Sequence, residues 1–129
     1  MGRELKRILY VEDESDIQTI TAMALEAVGG YTVICCSSGA EALAAAPTAN
    51  VDLILLDVMM PGMDGLATLG ALRGLPQTAD TPVIFMTAKV QASEVQHYTR
   101  LGVAGVVPKP FDPMTLSEQI GDIWRKVSG

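Results

Sequence analysis

The segment most informative about the fold is Val51-Asp-Leu-Ile-Leu-Leu-Asp57-Val-Met-Met-Pro61-Gly-Met-Asp-Gly65. Its apolar run from Leu53 to Leu56 is typical of a strand that is buried on both faces, and this strand ends in the carboxylate of Asp57. The Pro-Gly and Asp-Gly turns that follow reverse the chain into a helix. An ionised carboxylate at the end of a buried strand is costly unless it is paired, binds a metal or takes part in chemistry. The stretch therefore predicts a central strand that carries a functional acid at its carboxyl end.

The rest of the chain alternates strand and helix patterns around this stretch. Besides the strand through Asp57, strands are predicted over residues 6–11, 31–36, 82–87 and 103–108. Helices are predicted over residues 15–28, 38–47, 64–73 and 93–101, with a last helix that begins at Asp112-Pro113. Strands and helices that alternate through short connections form a parallel sheet with helices on both faces. The sequence therefore predicts one α/β domain over residues 1–129, with no output domain in this chain.

Several helix ends carry specific signals. Ser15 with Gln18 and Ser38 with Glu41 match the capping-box pattern, in which two side chains bond free backbone N–H groups of the first turn. Pro47 is expected to end the second helix, because a proline ring clashes with the preceding turn. The first helix carries apolar residues near helical spacing, at Ile17, Ile20, Ala24 and Val28.

Composition and charge exclude several classes of protein. The chain is 49% hydrophobic and 19% charged, which is typical of a globular domain. Its net charge of −6 argues against direct binding of nucleic acid. No apolar run reaches the ~20 residues of a membrane span, and the N-terminus lacks a signal-peptide pattern. We therefore expect a cytoplasmic protein with no membrane partner. Cys35 and Cys36 are adjacent in a predicted strand, so their side chains should point to opposite faces.

Polar side chains follow four of the predicted strands. Glu12 and Asp13 come after the first strand, Asp57 ends the third, Thr87 ends the fourth and Lys109 follows the fifth. In an open parallel sheet, ligands bind beyond the carboxyl ends of the strands, where the strand order reverses. We therefore expect these five side chains to form one site.

The chemistry of this predicted site follows from its charges. Two like charges ~4 Å apart repel by about 4 kcal/mol at an effective dielectric constant near 20, so three carboxylates should take up protons or hold a cation. Hard oxygen ligands favour Mg²⁺ over a softer metal. The hydroxyl of Thr87 and the ammonium of Lys109 are suited to a phosphoryl group. Asp57 would then be a nucleophile that forms an acyl phosphate.

These residues resemble the receiver domain of the two-component response-regulator family. The resemblance covers essentially the whole chain, and four short motifs carry it: Glu12-Asp13, the segment Leu55–Gly65 around Asp57, Thr87-Ala88 and Lys109-Pro110-Phe111. It implies a flavodoxin-like, doubly wound sheet of five parallel strands in the order 2-1-3-4-5, flanked by five helices.

The resemblance also implies a role for Asp57 and a ligand set for a metal. Asp57 would accept a phosphoryl group from a phosphohistidine on a sensor histidine kinase or a histidine phosphotransfer protein. Asp13 and Asp57 would bind Mg²⁺ (or Mn²⁺) directly, Glu12 would help through water, and the backbone carbonyl of Met59 would be a further ligand.

For the phosphoryl group itself, the resemblance implies contacts with backbone and side chains. The backbone of Met59 and Ala88 would touch the phosphoryl group, Thr87 would move toward it, and Lys109 would pair with it. The Lys109-Pro110 peptide bond is expected to be cis.

One feature of the family pattern is missing. The residue three before the lysine is often a Tyr or Phe that swings inward on activation, and here it is Val106. We therefore expect the switch to use Thr87, Lys89 and backbone motion around Gly105. Met59 has no hydrogen-bonding group to orient an attacking water, which predicts a long-lived acyl phosphate.

The resemblance places the output surface on residues 89–100, the fifth strand and the last helix. This surface would bind a downstream protein that the sequence does not identify, and the sequence leaves open whether the protein forms a homodimer.

Three other classes share parts of this pattern. A hydrolase with a phospho-aspartate nucleophile would carry a second Asp two residues after the first, where this chain has Met59. A flavin-binding module would need a glycine- and hydroxyl-rich phosphate loop after the first strand, and the acids at 12–14 would repel that phosphate. A protein-interaction module that has the receiver fold but signals without phosphate is the remaining alternative.

Overall fold

A computed structural model describes residues 4–60, 62–88 and 91–128, in which strands and helices alternate along the chain. The strands are β1 (Arg7–Val11), β2 (Thr32–Cys36), β3 (Leu53–Asp57), β4 (Val83–Thr87) and β5 (Gly105–Pro108). The helices are α1 (Ser15–Ala27), α2 (Gly39–Ala49), α3 (Gly65–Arg73), α4 (Ala92–Arg100) and α5 (Leu116–Ser128).

The five strands form one parallel sheet in the order β2-β1-β3-β4-β5, which confirms the predicted topology. β1 is paired with β2 on one side and with β3 on the other, so the strand order reverses there. The register sets Val11 beside Leu56, Asp57 beside Met86, and Thr87 beside Pro108. Consequently the strand ends that carry polar residues meet at one edge of the sheet.

The alternation of side chains along the strands builds a core on each face of the sheet. One core packs β1, β3 and β4 against α2, α3 and α4, and includes Leu9, Leu56, Phe85, Leu72 and Tyr98. The other packs the same strands against α1 and α5, and includes Ile8, Tyr10, Leu25, Ile120 and Trp124. β3 and β4 are buried along their whole length, as their continuous apolar sequences predict.

The predicted capping box at the start of α1 is wrong. The N-cap residue is Glu14, and it makes no side-chain capping bond. The side-chain amide of Gln18 instead donates to the backbone carbonyls of Glu12 and Cys36, at 3.1 Å each. Two carbonyls at the ends of neighbouring strands offer this amide better partners than the helix terminus does. The box at α2 is confirmed at its first bond, because Ser38 Oγ accepts from the Glu41 N–H at 3.1 Å.

Pro47 does not end α2, which continues to Ala49. The proline ring is exposed, while Ala46 and Ala49 on either side of it are buried against the sheet. Their packing holds the last turn in place although Pro47 cannot donate a backbone hydrogen bond. The helix ends at Asn50, whose φ of 54° is the left-handed conformation that asparagine tolerates well.

The apolar positions noted in α1 divide between core and solvent. Ala24 is buried, but Ile20 and Val28 are each 51% exposed, and the core side of the helix is completed by Thr21 and Leu25. The helix therefore presents large apolar side chains to solvent.

The remaining element bounds differ from the predicted ones by a few residues. β4 and β5 begin at Val83 and Gly105, and α4 spans Ala92–Arg100. Asp112 makes the capping bonds that the sequence predicted for the last helix, because its Oδ1 accepts from the Met114 N–H and its carbonyl accepts from the Leu116 N–H. A turn over residues 113–115 leads from Asp112 into α5, which begins at Leu116. Cys35 is exposed and Cys36 is buried, as their alternation predicts. Among the described residues, no helix is long and apolar enough to span a membrane.

Gly65, the first residue of α3, lies against the carboxyl end of β3. A Cβ atom at this position would lie 2.6 Å from Val58 Cα and 2.7 Å from the Asp57 carbonyl oxygen, and neither backbone atom can move without displacing the loop. We expect Gly65→Ala to lower the free energy of unfolding by about 1–3 kcal/mol, measured by urea denaturation.

Gly70 on the same helix provides the matched control. A Cβ atom there would meet nothing within 4 Å, so Gly70→Ala should be neutral or should stabilise the protein by about 0.5–1 kcal/mol. Equal effects of the two substitutions would show that the close approach at Gly65 does not constrain the loop.

Candidate functional site

The carboxyl edge of the sheet brings a lysine between two buried acids. Lys109 Nζ lies 2.9 Å from Glu12 Oε1 and 3.3 Å from Asp57 Oδ1. Glu12 is fully buried and Asp57 is 2% exposed, whereas the Lys109 side chain is 18% exposed. Three residues that are far apart in the sequence therefore form one charged cluster below the surface.

Asp13 extends this cluster toward solvent. One carboxylate oxygen from each of Glu12, Asp13 and Asp57 lies within 4.8 Å of the other two, and Asp13 is the member that is not buried. Three hard oxygen donors at this spacing fit a divalent cation such as Mg²⁺. One ammonium cannot neutralise three carboxylates, so the charge of the site also favours a bound cation.

Glu12 and Asp57 share the lysine unequally. Burial raises the pKa of Asp57 to about 7, and the hydrogen bond and negative charge of Glu12 add to that shift. Burial also opposes ionisation of Glu12, but the hydrogen bonds from Lys109 and Asp57 and the positive charge of Lys109 together outweigh it, and the pKa of Glu12 is lowered. Because Lys109 lies closer to Glu12, Glu12 keeps its charge and Asp57 is the acid that binds a proton first.

The contacts with Glu12 and Asp57 also raise the pKa of Lys109. Burial alone would lower its pKa, but the hydrogen bond to Glu12 and the charge of Asp57 raise it. Its backbone N–H donates to the Thr87 carbonyl at 2.9 Å, and the Lys109-Pro110 peptide bond is cis. The lysine is thus a fixed positive charge at the ends of β4 and β5.

The loops after β3 and β4 complete the edge of the site. The backbone N–H of Met59 donates to Asp57 Oδ1 at 3.2 Å, while the Met59 side chain is 57% exposed. Thr87 is fully buried at the end of β4, and Ala88 follows it at the surface in a hollow that Lys109 also lines. Lys89, which the sequence predicted to take part in the switch, lies outside the described residues.

Tyr10, which was not predicted from the sequence as a site residue, lies directly beneath the acids. Its hydroxyl oxygen is 3.3 Å from Glu12 Oε1 and 3.1 Å from Thr21 Oγ1, and all three residues are fully buried. Burial raises the pKa of Tyr10, so the phenol stays protonated. The period of two along β1 puts residues 10 and 12 on one face of the sheet, and this signal could have identified Tyr10.

A second missed aromatic residue is Tyr98 on α4. Its ring packs edge-on against Phe85, with 5.2 Å between the ring centroids, and it is 5% exposed. Phe85 lies beside Val106 in the register of β4 and β5. A buried aromatic ring therefore packs against β4 beside Val106, and it belongs to α4 and not to β5.

The fold and the site define a receiver domain. The sequence model of the response regulator receiver domain family matches residues 8–121, and the chain belongs to that family. Receiver domains are signalling domains of two-component systems, in which response regulators interact with histidine kinases and downstream effectors.

Relatives and solved structures agree with this assignment. The chain is 38% identical over 121 residues to the alkaline phosphatase synthesis transcriptional regulatory protein PhoP of Bacillus subtilis (strain 168), covering 94% of this chain and 49% of PhoP. It is 37% identical over 122 residues to the transcriptional regulatory protein CpxR of Escherichia coli (strain K12), covering 95% and 50%. The chain thus spans about half the length of these relatives. The chemotaxis protein CheY4 of Vibrio cholerae superimposes with a TM-score of 0.85 at 32% identity, covering 93% of this chain and 99% of CheY4.

Proposed function

We propose that this protein accepts a phosphoryl group on Asp57 from a phosphohistidine of a sensor histidine kinase or a histidine phosphotransfer protein. The observation that carries the proposal is the cluster of three acids, Glu12, Asp13 and Asp57, at the switch point of the sheet, with Lys109 Nζ beside Glu12 and Asp57. An Asp57 oxygen would attack phosphorus while the P–N bond breaks, and the electron pair of that bond would remain on the imidazole. The product is an acyl phosphate on Asp57.

In this reaction some residues of the site would bind the metal and others would contact the phosphoryl group. Asp13, Asp57 and the Met59 carbonyl would hold Mg²⁺ (or Mn²⁺), with Glu12 acting through water. The metal would supply positive charge for the oxygens of the phosphoryl group in transfer. Lys109 would turn its ammonium from the carboxylates to a phosphoryl oxygen, since Nζ already lies 3.3 Å from Asp57 Oδ1. Thr87 and the backbone of Met59 and Ala88 would contact the remaining oxygens.

The test is intact-mass spectrometry after incubation with acetyl phosphate and Mg²⁺. We expect one phosphoryl adduct on the wild type, none on Asp57→Asn and none in EDTA. Asp64→Asn is the matched control, because Asn replaces Asp well as the N-cap of α3, and it should form the adduct. A wild type that forms no adduct and does not respond to beryllofluoride would favour the phosphate-independent interaction module.

The donor protein would dock on an apolar surface beside the site. Ile17, Ile20, Phe111 and Pro113 line a hollow together with Lys109 and Ala88. The surface continues along α1 through Met23 to Met114, which are 63% and 70% exposed. An apolar surface that borders the phosphoryl site is where a protein that presents a phosphohistidine must make contact.

If this surface binds the donor protein, a substitution on it should affect phosphotransfer from a protein donor but not from a small-molecule donor. We expect Ile20→Glu to slow phosphotransfer from a phosphorylated histidine protein at least about tenfold, because it places a charge in the contact. Phosphorylation by acetyl phosphate should stay at the wild-type rate. Val127→Glu, which changes an exposed apolar residue on α5, should alter neither rate. Equal slowing with both donors would mean that Ile20 acts on the site itself.

Phosphorylation would then change the surface of α4, β5 and α5 to control a downstream protein. β5 carries Val106 where related receivers often have an aromatic residue. In this chain the ring of Tyr98, on α4, packs on Phe85, which lies two residues before Thr87 in β4. This packing supports a coupling in which a movement of Thr87 reaches α4 through Phe85 and Tyr98.

A further inference from the structure

The carboxylate of Glu12 has more hydrogen-bond donors than a simple ion pair would give it. Oε1 accepts from Lys109 Nζ at 2.9 Å and lies 3.3 Å from the Tyr10 hydroxyl, and Oε2 accepts from the Glu14 N–H at 3.4 Å. No part of Glu12 is exposed, so water does not replace these donors when one of them is lost.

The direction of the hydrogen bonds through Tyr10 follows from the number of protons. A phenol has one proton, and an ionised carboxylate can only accept. Tyr10 therefore donates to Glu12, and the Thr21 hydroxyl, 3.1 Å away, donates to the phenol oxygen. The chain Thr21, Tyr10, Glu12 fixes the rotation of the phenol O–H and aims it at the carboxylate.

This arrangement fixes the Glu12 carboxylate before phosphorylation and stays in place when Lys109 leaves Glu12. Under the proposed function, Lys109 pairs with the incoming phosphoryl group. Glu12 Oε1 then loses its hydrogen bond from Lys109 Nζ, which is the shortest that it accepts. Tyr10 lies on the same face of the sheet as Glu12 and is packed in the core with Leu25 and Ile8. Its hydroxyl is therefore held in place when the lysine moves to the phosphoryl group. It stays as the fixed donor to Oε1.

We propose that Tyr10 is a positioning residue of the phosphorylation site, which holds the Glu12 carboxylate in place for the divalent cation while Lys109 changes partners. The inference rests on the proposed function, because it assigns Glu12 to the cation and Lys109 to the phosphoryl group. It adds a hydroxyl beneath the acids to the set of groups that determine affinity for the metal. Groups that hydrogen-bond a direct metal ligand typically change metal affinity by about 10–100-fold, and we expect the low end of this range for Tyr10 because Glu12 would act on the cation through water.

The test compares Mg²⁺ binding to the unphosphorylated protein by isothermal titration calorimetry at pH 8. We expect Tyr10→Phe, which removes only the hydroxyl, to weaken Mg²⁺ binding about tenfold. Tyr31→Phe removes the same atom from a tyrosine of the same core that does not contact Glu12, and it should bind Mg²⁺ as the wild type does. Thermal melting of each variant shows how much of it is folded.

A second pair of variants keeps the proposal testable if Tyr10→Phe does not fold. Thr21→Val should weaken Mg²⁺ binding by about threefold, because the phenol O–H is then free to rotate, and Thr21→Ser should restore it. Wild-type affinity in both Tyr10→Phe and Thr21→Val would overturn the inference and leave Tyr10 as a core residue. A wild type that binds Mg²⁺ but takes up no phosphoryl group would instead contradict the proposed function.

Discussion

Asp57→Asn should stabilise the metal-free protein by on the order of 4 kcal/mol at pH 8. The wild type must hold two ionised acids, Glu12 and Asp57, around one lysine in a buried site. The pKa of Asp57 is about 7 in the folded protein against an ordinary value of 3.8, and each unit corresponds to about 1.4 kcal/mol. Asparagine keeps the shape of the side chain and removes the repelling charge.

The pH dependence of this effect has a definite sign. A raised pKa means that the folded protein binds the Asp57 proton more tightly than the unfolded chain does. The stability due to this proton is fully present below about pH 4 and is lost as the pH rises to about 7. The advantage of Asp57→Asn should therefore be small at pH 4, grow between pH 4 and 7, and stay constant above.

Urea denaturation in EDTA across this range measures the difference. Asp64→Asn is the control, since it changes an exposed acid of the same loop, and it should stay within about 0.5 kcal/mol of the wild type. A difference between Asp57→Asn and the wild type that did not vary from pH 4 to 8 would contradict the assigned pKa. Adding Mg²⁺ should stabilise the wild type and have little effect on Asp57→Asn, because the variant lacks a ligand.

Lys109→Met should have the opposite effect and lower the free energy of unfolding by about 3–5 kcal/mol at pH 8 in EDTA. Methionine matches the length of lysine but leaves Glu12 and Asp57 without a counter-charge. Removing one partner of a buried ion pair costs more than the pair contributes, because the remaining charge stays desolvated. Lowering the pH should reduce the loss, since Asp57 can then bind a proton.

A double-mutant cycle tests whether the loss comes from the two acids. Lys109→Met combined with Asp57→Asn should be more stable than Lys109→Met alone, because one of the two unpaired charges is gone. Lys126→Met, on the exposed side of α5, is the matched control and should change stability by no more than about 0.5 kcal/mol. If Lys109→Met lowered the free energy of unfolding by less than about 1 kcal/mol, water and not the lysine would be what stabilises the two carboxylates.

Much of the fold could be read from local sequence patterns. The apolar runs before Asp57 and Thr87 correspond to the fully buried strands β3 and β4, and the sheet has the order that the family resemblance implies. The errors lie where a side chain finds a partner on another element. Gln18 bonds the end of β2 instead of its own helix, and Pro47 stays within α2 because its neighbours are buried.

The amino-acid sequence alone was enough to predict the elements, the parallel α/β class and the acids, hydroxyl and lysine at the strand ends. It could do so because periodicity and turn residues act over a few positions along the chain. The division of the Lys109 charge between Glu12 and Asp57, and the position of Tyr10 and Thr21 beneath these acids, depend on tertiary contacts. Those contacts join residues up to 97 positions apart, and their energies depend on burial and distances of a few ångströms, which no local pattern encodes.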